Sequence, residues 1–355
     1  MTITKKGWTR QFMASLFKKE ASYNAGVTMN GSNACSMIGF ELDTTPEFKI
    51  ENDKGEVTGK EHGYDQEILS YGYKFNYKEP KAHPNALAGF SALVLGSTTA
   101  TQDGAATAYL HKNIPVTVGT ALPSISVEEK HGDLQYIHSG VKGNTLKISG
   151  EAGGFVAMEA GLIGSGSFTE STTTFAASVT ESWLKVSGCK VWLESGANIS
   201  ISANLTQATE DISSATPDNL YPRLKSFEWS WDNALEGQPG FGGDGYFQDC
   251  DYGRRKADLK FSLIFYDETE LDYFLNQTAC AIEFDLKGAI IDGAGTYYYG
   301  FQLIVPRFKI KNPVFPKGGV GDILTQDFEC EVFDDGTNPA SIIQVYNAKA
   351  AYLAA

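Results

Sequence analysis

The sequence predicts a mainly β protein of the α+β class, built as two tandem β-barrel or sandwich modules, each with a flanking helix. Three observations carry this. Glycine occurs 37 times in 355 residues and only 20% of the chain is charged, a balance that favours turn-rich strands over helical bundles. Apolar and polar residues alternate with a period of two in segment after segment. One strand–helix unit, KADLKFSLIFYDETELDYFLN (Lys256–Asn276), has a counterpart in the first half of the chain.

The chain opens on a short helix predicted over Trp8–Lys19, with Trp8, Phe12, Leu16 and Phe17 on one side and Lys and Arg on the other. Packing on a neighbouring barrel or subunit suits it, membrane contact being the other reading. It lacks the apolar run and cleavage site of a signal peptide. Asn24–Asn33 is a loop. Glu47–His62 starts as a strand and passes into a charged loop. Ile68–Tyr77 is a strand, and Pro84–Leu95 a helix with Leu87, Phe90 and Val94 on one face. Pro84 suits its first turn and Gly96 its stop. Strands follow at Ala106–His111, Pro115–Val118, Ser124–Glu128, Asn144–Ser149 and Gly154–Gly161, the last two turning at Glu151–Gly153.

Ser165–Ser178 is a Ser/Thr-rich bridge. Trp183–Leu193 and Asn198–Asn204 alternate as strands, and Thr206–Tyr221 is a polar loop. Lys225–Gly237 is a strand entering the glycine-rich loop QPGFGGDG. In Lys256–Asn276, Leu259, Phe261, Leu263 and Phe265 share a strand face. Asp267 is placed as N-cap with Glu270 as its capping-box partner, and Leu271, Phe274 and Leu275 share a helix face. Strands at Ala281–Leu286, Tyr297–Val305, Arg307–Lys311, Gly321–Asp335 and Ser341–Asn347 complete the chain.

The expected organisation is an N-terminal arm with a short helix (1–45), a first module (46–170), a bridge with shared strands (171–224) and a second module (225–355). FKIENDKGE…GYKFNYKEP…NALAGF and FEWSWDNALE…DLKFSLIFYDET…LDYFL keep one order of strand, polar loop, strand and helix. GNTLKISGEAGGFVAMEAG and GDILTQDFECEVFDDG are likewise alike. Two unrelated α+β domains are the alternative to a duplication.

Lys and Arg number 29 against 43 Asp and Glu, a net charge of −14, which argues against a duplex-DNA binder. It does not argue against a surface that nucleic acid must pass without sticking, because such a surface should repel phosphate. Five scattered cysteines, with no CxxC, read as buried thiols from a reducing cytoplasm. No run reaches the ~20 apolar residues of a membrane span, so a soluble chain is expected.

Catalytic patterns are missing. GQPGFGGDG lacks the GK[ST] of a phosphate loop. His62, His83, His111, His131 and His138 form no HxxxH and read as surface or turn residues. Asp244, Asp249 and Asp251 do not follow the EF-hand order. Phe227, Trp229 and Trp231 alternate with Glu228 and Asp232; the aromatics belong in a core and the acids in water, a sugar platform being the other reading.

The chain resembles the major tail tube proteins of long-tailed bacteriophages in their duplicated form. KADLKFSLIFYDETELDYFL, GVKGNTLKISGEAGGFVAMEAGLIGSGSF, FEWSWDNALEG and YYYGFQLIVPRFKI…SIIQVYNAKAAYL carry the resemblance over most of the chain. It implies a structural virion protein, not an enzyme, with no catalytic residue, cofactor or metal. Trimeric rings of pseudo-sixfold symmetry would stack into a tube with a central channel for DNA passage during ejection. The implied partners are the chain itself, tail-tip and tail-terminator proteins, and the tape-measure protein and DNA in the lumen without specific binding; no membrane is involved. The implied location is the virion tail, after assembly in the host cytoplasm.

The loops Asn52–Asp65 and Asn233–Asp251 occupy equivalent places and would touch the next ring, through Asp53, Glu56, Lys60, Glu236, Phe241 and Asp244. The helices would brace inner strands through Leu87, Phe90, Val94, Leu271, Phe274 and Leu275. The alternative function is a phage decoration or host-recognition β-sandwich protein whose strand Phe227–Trp231 contacts a glycan; a β-rich hydrolase is a third.

Overall fold

The computed structural model describes residues 10–52, 66–102, 107–176, 181–195, 218–220, 222–240, 245–291, 297–313, 315–319 and 321–355. The first half contains β1 (Arg10–Ala14), β2 (Cys35–Ser36), β3 (Glu41–Asn52), β4 (Gln66–Glu79), helix α1 (Pro84–Leu95), β5 (Gly96–Gln102), β6 (Tyr109–Pro115), β7 (Ile125–His131), β8 (Leu134–Glu151), β9 (Val156–Gly164) and β10 (Phe168–Glu170). Then come β11 (Cys189–Ser195), β12 (Asp218–Asn219), β13 (Leu224–Asp232), β14 (Leu235–Pro239), β15 (Phe247–Tyr252), β16 (Lys256–Ile264) and helix α2 (Thr269–Leu275). The chain closes with β17 (Cys280–Ile290), β18 (Tyr298–Pro313), β19 (Thr325–Val332) and β20 (Ile342–Asn347). The fold is mainly β.

The two halves repeat one pairing order. In the first, neighbours run β1·β7·β8·β9·β4·β3, all antiparallel. In the second they run β11·β17·β18·β19·β16·β13. The long strands β8 and β18 each change partner along their length, β7 for β9 and β17 for β19, through a bulged bend. A bulge precedes the bend (Ile125/Val127 against Cys280/Ile282) and another follows it (Gly143/Thr145 against Ile310/Asn312). The short strands β10 and β20 add to the same ends of β8 and β18.

Aligning the bulges matches individual rungs. Val127↔His138, Glu129↔Tyr136 and His131↔Leu134 stand where Ile282↔Val305, Phe284↔Leu303 and Leu286↔Phe301 stand. On the opposite face, Gln135 Nε2 donates to Glu128 Oε1 at 2.6 Å, and Gln302 Nε2 donates to Glu283 Oε1 at 2.6 Å, on equivalent rungs. Both glutamates are fully buried. A buried carboxylate needs such a donor, and both halves supply it in the same way.

The halves are sewn together. β13 pairs with the outer part of β8, Ser226↔Glu151 through Asp232↔Thr145. The β5–β6 hairpin leaves the first half and pairs with β20 of the second. Near the C-terminus, the Leu353 and Ala354 N–H groups donate to the Leu16 and Phe17 carbonyls. One apolar core includes Phe12, Phe90, Trp229, Phe284 and Val345.

Helix α1 follows its sequence signals: Pro84 opens it, and Gly96, at φ 87°, ends it with its N–H on the Ala92 carbonyl. Other expectations need correction. Arg10–Ala14 is a strand, not part of a helix, because β7 and β2 offer it ladders on both sides while Phe12, Met13 and Ala14 are buried. Glu270 is not a capping-box partner. It is buried and takes a 2.6 Å hydrogen bond from Arg223, while Asp267 accepts the Thr269 N–H at 3.0 Å. Tyr297–Val305 and Arg307–Lys311 form one continuous strand, β18. Asn144–Ser149 is the inner part of the longer β8, and Gly96–Gln102 is a strand the sequence did not announce. The likeness of Gly143–Gly161 to Gly321–Gly336 holds for β9 and β19 only, since β8 matches β18.

Candidate functional site

Strand parity and burial separate two faces of an antiparallel run ordered β3·β4·β9·β8·β13·β16·β19·β18. One face is core: Phe75, Tyr77, Leu146, Ile148, Phe227, Trp229, Leu259, Phe261 and Phe328 are buried on it. The other is polar and open. It carries Asp43, Glu47, Lys74, Lys78, Lys147, Glu151, Glu159, Glu228, Asp232, Lys256, Asp258, Lys260, Asp327, Glu329, Glu331 and Lys309. Carboxylates outnumber lysines there.

The lysines are placed among the acids. Lys74 pairs with Glu47 across β4 and β3. Lys78 lies 3.6 Å from Glu159, Lys147 2.7 Å from Glu228, Lys256 2.6 Å from Asp258 and Lys260 3.7 Å from Glu329. The Glu228 hydrogen bond raises the Lys147 pKa, so that lysine stays charged. Such solvent-exposed pairs contribute little stability. They intersperse positive charge among the carboxylates of this face.

This run ends in two open edges. Among the described residues, the outer edge of β3 and the edge of β18 beyond Ile310 pair with no strand. Pro46 sits on β3 and Pro313 ends β18, and a residue without an N–H is tolerated at such edges. At the middle of the run, β8 beyond its bend meets β13. By the repeat, β8 corresponds to β18 and β13 to β3.

Beside the outer part of β3 and β4 lies the β14–β15 hairpin. The Tyr71 N–H donates to the Gly245 carbonyl at 3.0 Å, and Tyr71 and Tyr246 meet edge to face at 4.5 Å. Gly72 is required here: a Cβ would stand 2.3 Å from the Phe247 ring. Phe48, Ile50, Ile68 and Leu69 are exposed on the β3–β4 arm.

A cavity of about 410 Å³ opens at one end of the first half, lined by Arg10, Thr44, Tyr73, Glu129, His131, Leu134, Tyr136, His138 and Phe168, with Asp43. Burial pushes the Glu129 carboxyl up, but hydrogen bonds from His138 (3.1 Å), His131 (3.0 Å) and Thr44 (2.8 Å) outweigh it and hold its pKa at about 2. At the start of α1, Glu181 accepts the Asn85 N–H at 2.8 Å in place of a side-chain cap, and burial lifts its pKa to about 7.

The anticipated residues fall as follows. Leu87, Phe90 and Val94 are fully buried; Leu271 and Phe274 are half-buried and Leu275 is exposed. Glu236 is exposed on β14. Asp53, Glu56, Lys60, Phe241 and Asp244 lie outside the described residues. His83, His111 and His138 are buried rather than surface residues: His83 pairs with Glu79, and His111 Nε2 donates to the Lys349 carbonyl at 2.7 Å. Phe227, Trp229 and Trp231 are core, with Trp229 Nε1 donating to Ser341 at 3.0 Å, so no sugar platform exists on that strand. All five cysteines are buried, and none forms a disulfide. Among the described residues no helix is long and apolar enough to cross a membrane, and no cluster of His, Cys, Asp and Glu could hold a metal ion. The open edges went unread in the sequence because pairing partners leave no local signal.

A family model described as phage tail tube protein matches residues 21–332. No curated protein matches the chain.

Proposed function

The chain belongs to the phage tail tube protein family, and on that premise we propose that copies of it close into rings, stacked as a tube, whose bore is lined by the polar sheet face. It is a structural component of the virion tail. The observation that supports ring closure is the internal β8·β13 joint beside two open edges that correspond to it. A second chain can repeat that joint by setting its β3 against β18 of the first. Head-to-tail contacts of this kind close into rings. Three chains supply six modules, the pseudo-sixfold arrangement, and closure pairs both open edges of the run.

The division into modules 46–170 and 225–355, joined by 171–224, belongs to this reading; β1 of the N-terminal arm completes the first module. The acid excess on the polar face repels phosphate, so DNA passes during ejection without adhering. Glu236 and the β14–β15 hairpin, together with the β3–β4 arm bearing Asp53, Glu56 and Lys60, reach the next ring. The helices brace the bore strands from outside. Tail-tip, terminator and tape-measure proteins are the further partners, and the chain performs no catalysis.

Negative-stain microscopy of the purified protein tests the proposal. Rings or tubes with a central hole are expected. A chain that stays monomeric at high concentration, even with tail-tip components added, overturns it.

A further inference from the structure

The two modules differ in what covers one end of their cores. In the second, the rungs Phe284–Leu303 and Leu286–Phe301 are fully buried and apolar, as are Ile343 and Val345 of β20. Helix α1, which belongs to the first module, packs against β18 and β20 there. In the first module the same rungs read Glu129–Tyr136 and His131–Leu134, with Phe168 on β10. They line the open 410 Å³ cavity, and Leu134 and Phe168 are 59% and 42% exposed.

Helix α2 occupies the place of α1 in the second module and packs on β18 as α1 packs on β8. Nothing among the described residues plays for α2 the part that β18 and β20 play for α1. Leu275 at the end of α2 and Tyr266 just before the helix are 65% and 63% exposed, while Leu271 and Phe274 are half-buried. Asp267 and Glu268 before it and Asp272 on it are exposed, and the cavity is lined by Arg10, His131 and His138 together with Glu129 and Asp43.

We infer that the segment Tyr266–Leu275 of one chain docks on the β8–β10 end of the next chain's first module, repeating across the chain boundary the seat that α1 occupies within it. The occupant is a second copy of this chain, because the seat and its helix already exist once, in register, inside a single copy. The inference rests on the ring reading and adds to it a contact remote from the strand edges. Apolar residues exposed on both sides become buried together.

Cysteine cross-linking tests it, since the five native thiols are buried. One chain carrying Leu275→Cys is mixed with another carrying Leu134→Cys, or Phe168→Cys as a second position, and treated with a short bis-maleimide. A Thr45→Cys and Asn312→Cys pair reports on the strand seam under the same conditions. Covalent dimers from both the helix and the seam pairs, with rings visible, are expected. Leu275→Asp should raise the concentration needed for ring formation roughly tenfold or more, since each tenfold corresponds to the loss of about one buried apolar contact. Rings with seam cross-links but none from either helix pair overturn this inference alone. Absence of rings and of seam cross-links overturns the assembly reading and this inference with it.

Discussion

Helices α1 and α2 hold the same position in the order of their modules, yet every residue of α1 is buried while in α2 only Glu270 is. Their compositions explain the difference. PNALAGFSALVL is apolar on nearly all sides, as a helix surrounded by protein must be. TELDYFL has one apolar stripe and an acidic flank, and the buried Arg223–Glu270 pair ties it down from one side. The number of neighbours a helix has within its own chain is written in how much of its circumference is apolar.

The comparison can be broken at α1 first, where the effect is largest. Phe90, fully buried and stacked on Tyr77 at 4.7 Å, should cost about 3–5 kcal/mol as Phe90→Ala, read as a lowered urea midpoint. The next effect lies at the open end. The folded pKa of Glu129, about 2, is below its ordinary 4.5, so its contribution is fully present above pH 4.5 and is lost as pH falls toward 2. That shift corresponds to about 3 kcal/mol. Glu129→Gln should therefore flatten the acid limb of a stability–pH curve; an unchanged limb would refute the assignment. The smallest effect on the single chain belongs to α2. Leu275→Ala should change monomer stability by no more than about 0.5 kcal/mol. A large loss in dilute monomer would show that Leu275 serves its own core, contrary to its exposure.

Much of the fold could be read from the residues where local chemistry decides. Pro84 and Gly96 bracket α1, and alternation from Leu259 to Leu263 places β16 and its buried face. Where tertiary pairing decides, local pattern misleads. Phe12, Leu16 and Phe17 fit a helical stripe, but strand partners claim Arg10–Ala14. Gly96–Gln102, GSTTATQ, has no apolar alternation because both its faces stay largely open, yet β6 pairs with it along its length. Bulges at the bends of β8 and β18 broke the period of two and cut long strands into apparent pieces. Parity marked two faces on Glu228 and Trp229, but only the position of the core told which one meets water.

The β5–β6 hairpin has no counterpart after α2, where the chain runs directly into β17. It adds a five-rung ladder between β6 and β20 to the joint between the halves, and the C-terminal bonds to Leu16 and Phe17 reinforce it. In a ring built on this plan, joints inside chains are clasped and joints between chains are not. Stiff and compliant hinges then alternate around the circumference. Such a tube would flex and ovalise in three preferred directions rather than six, and under load would open first at the boundaries between chains.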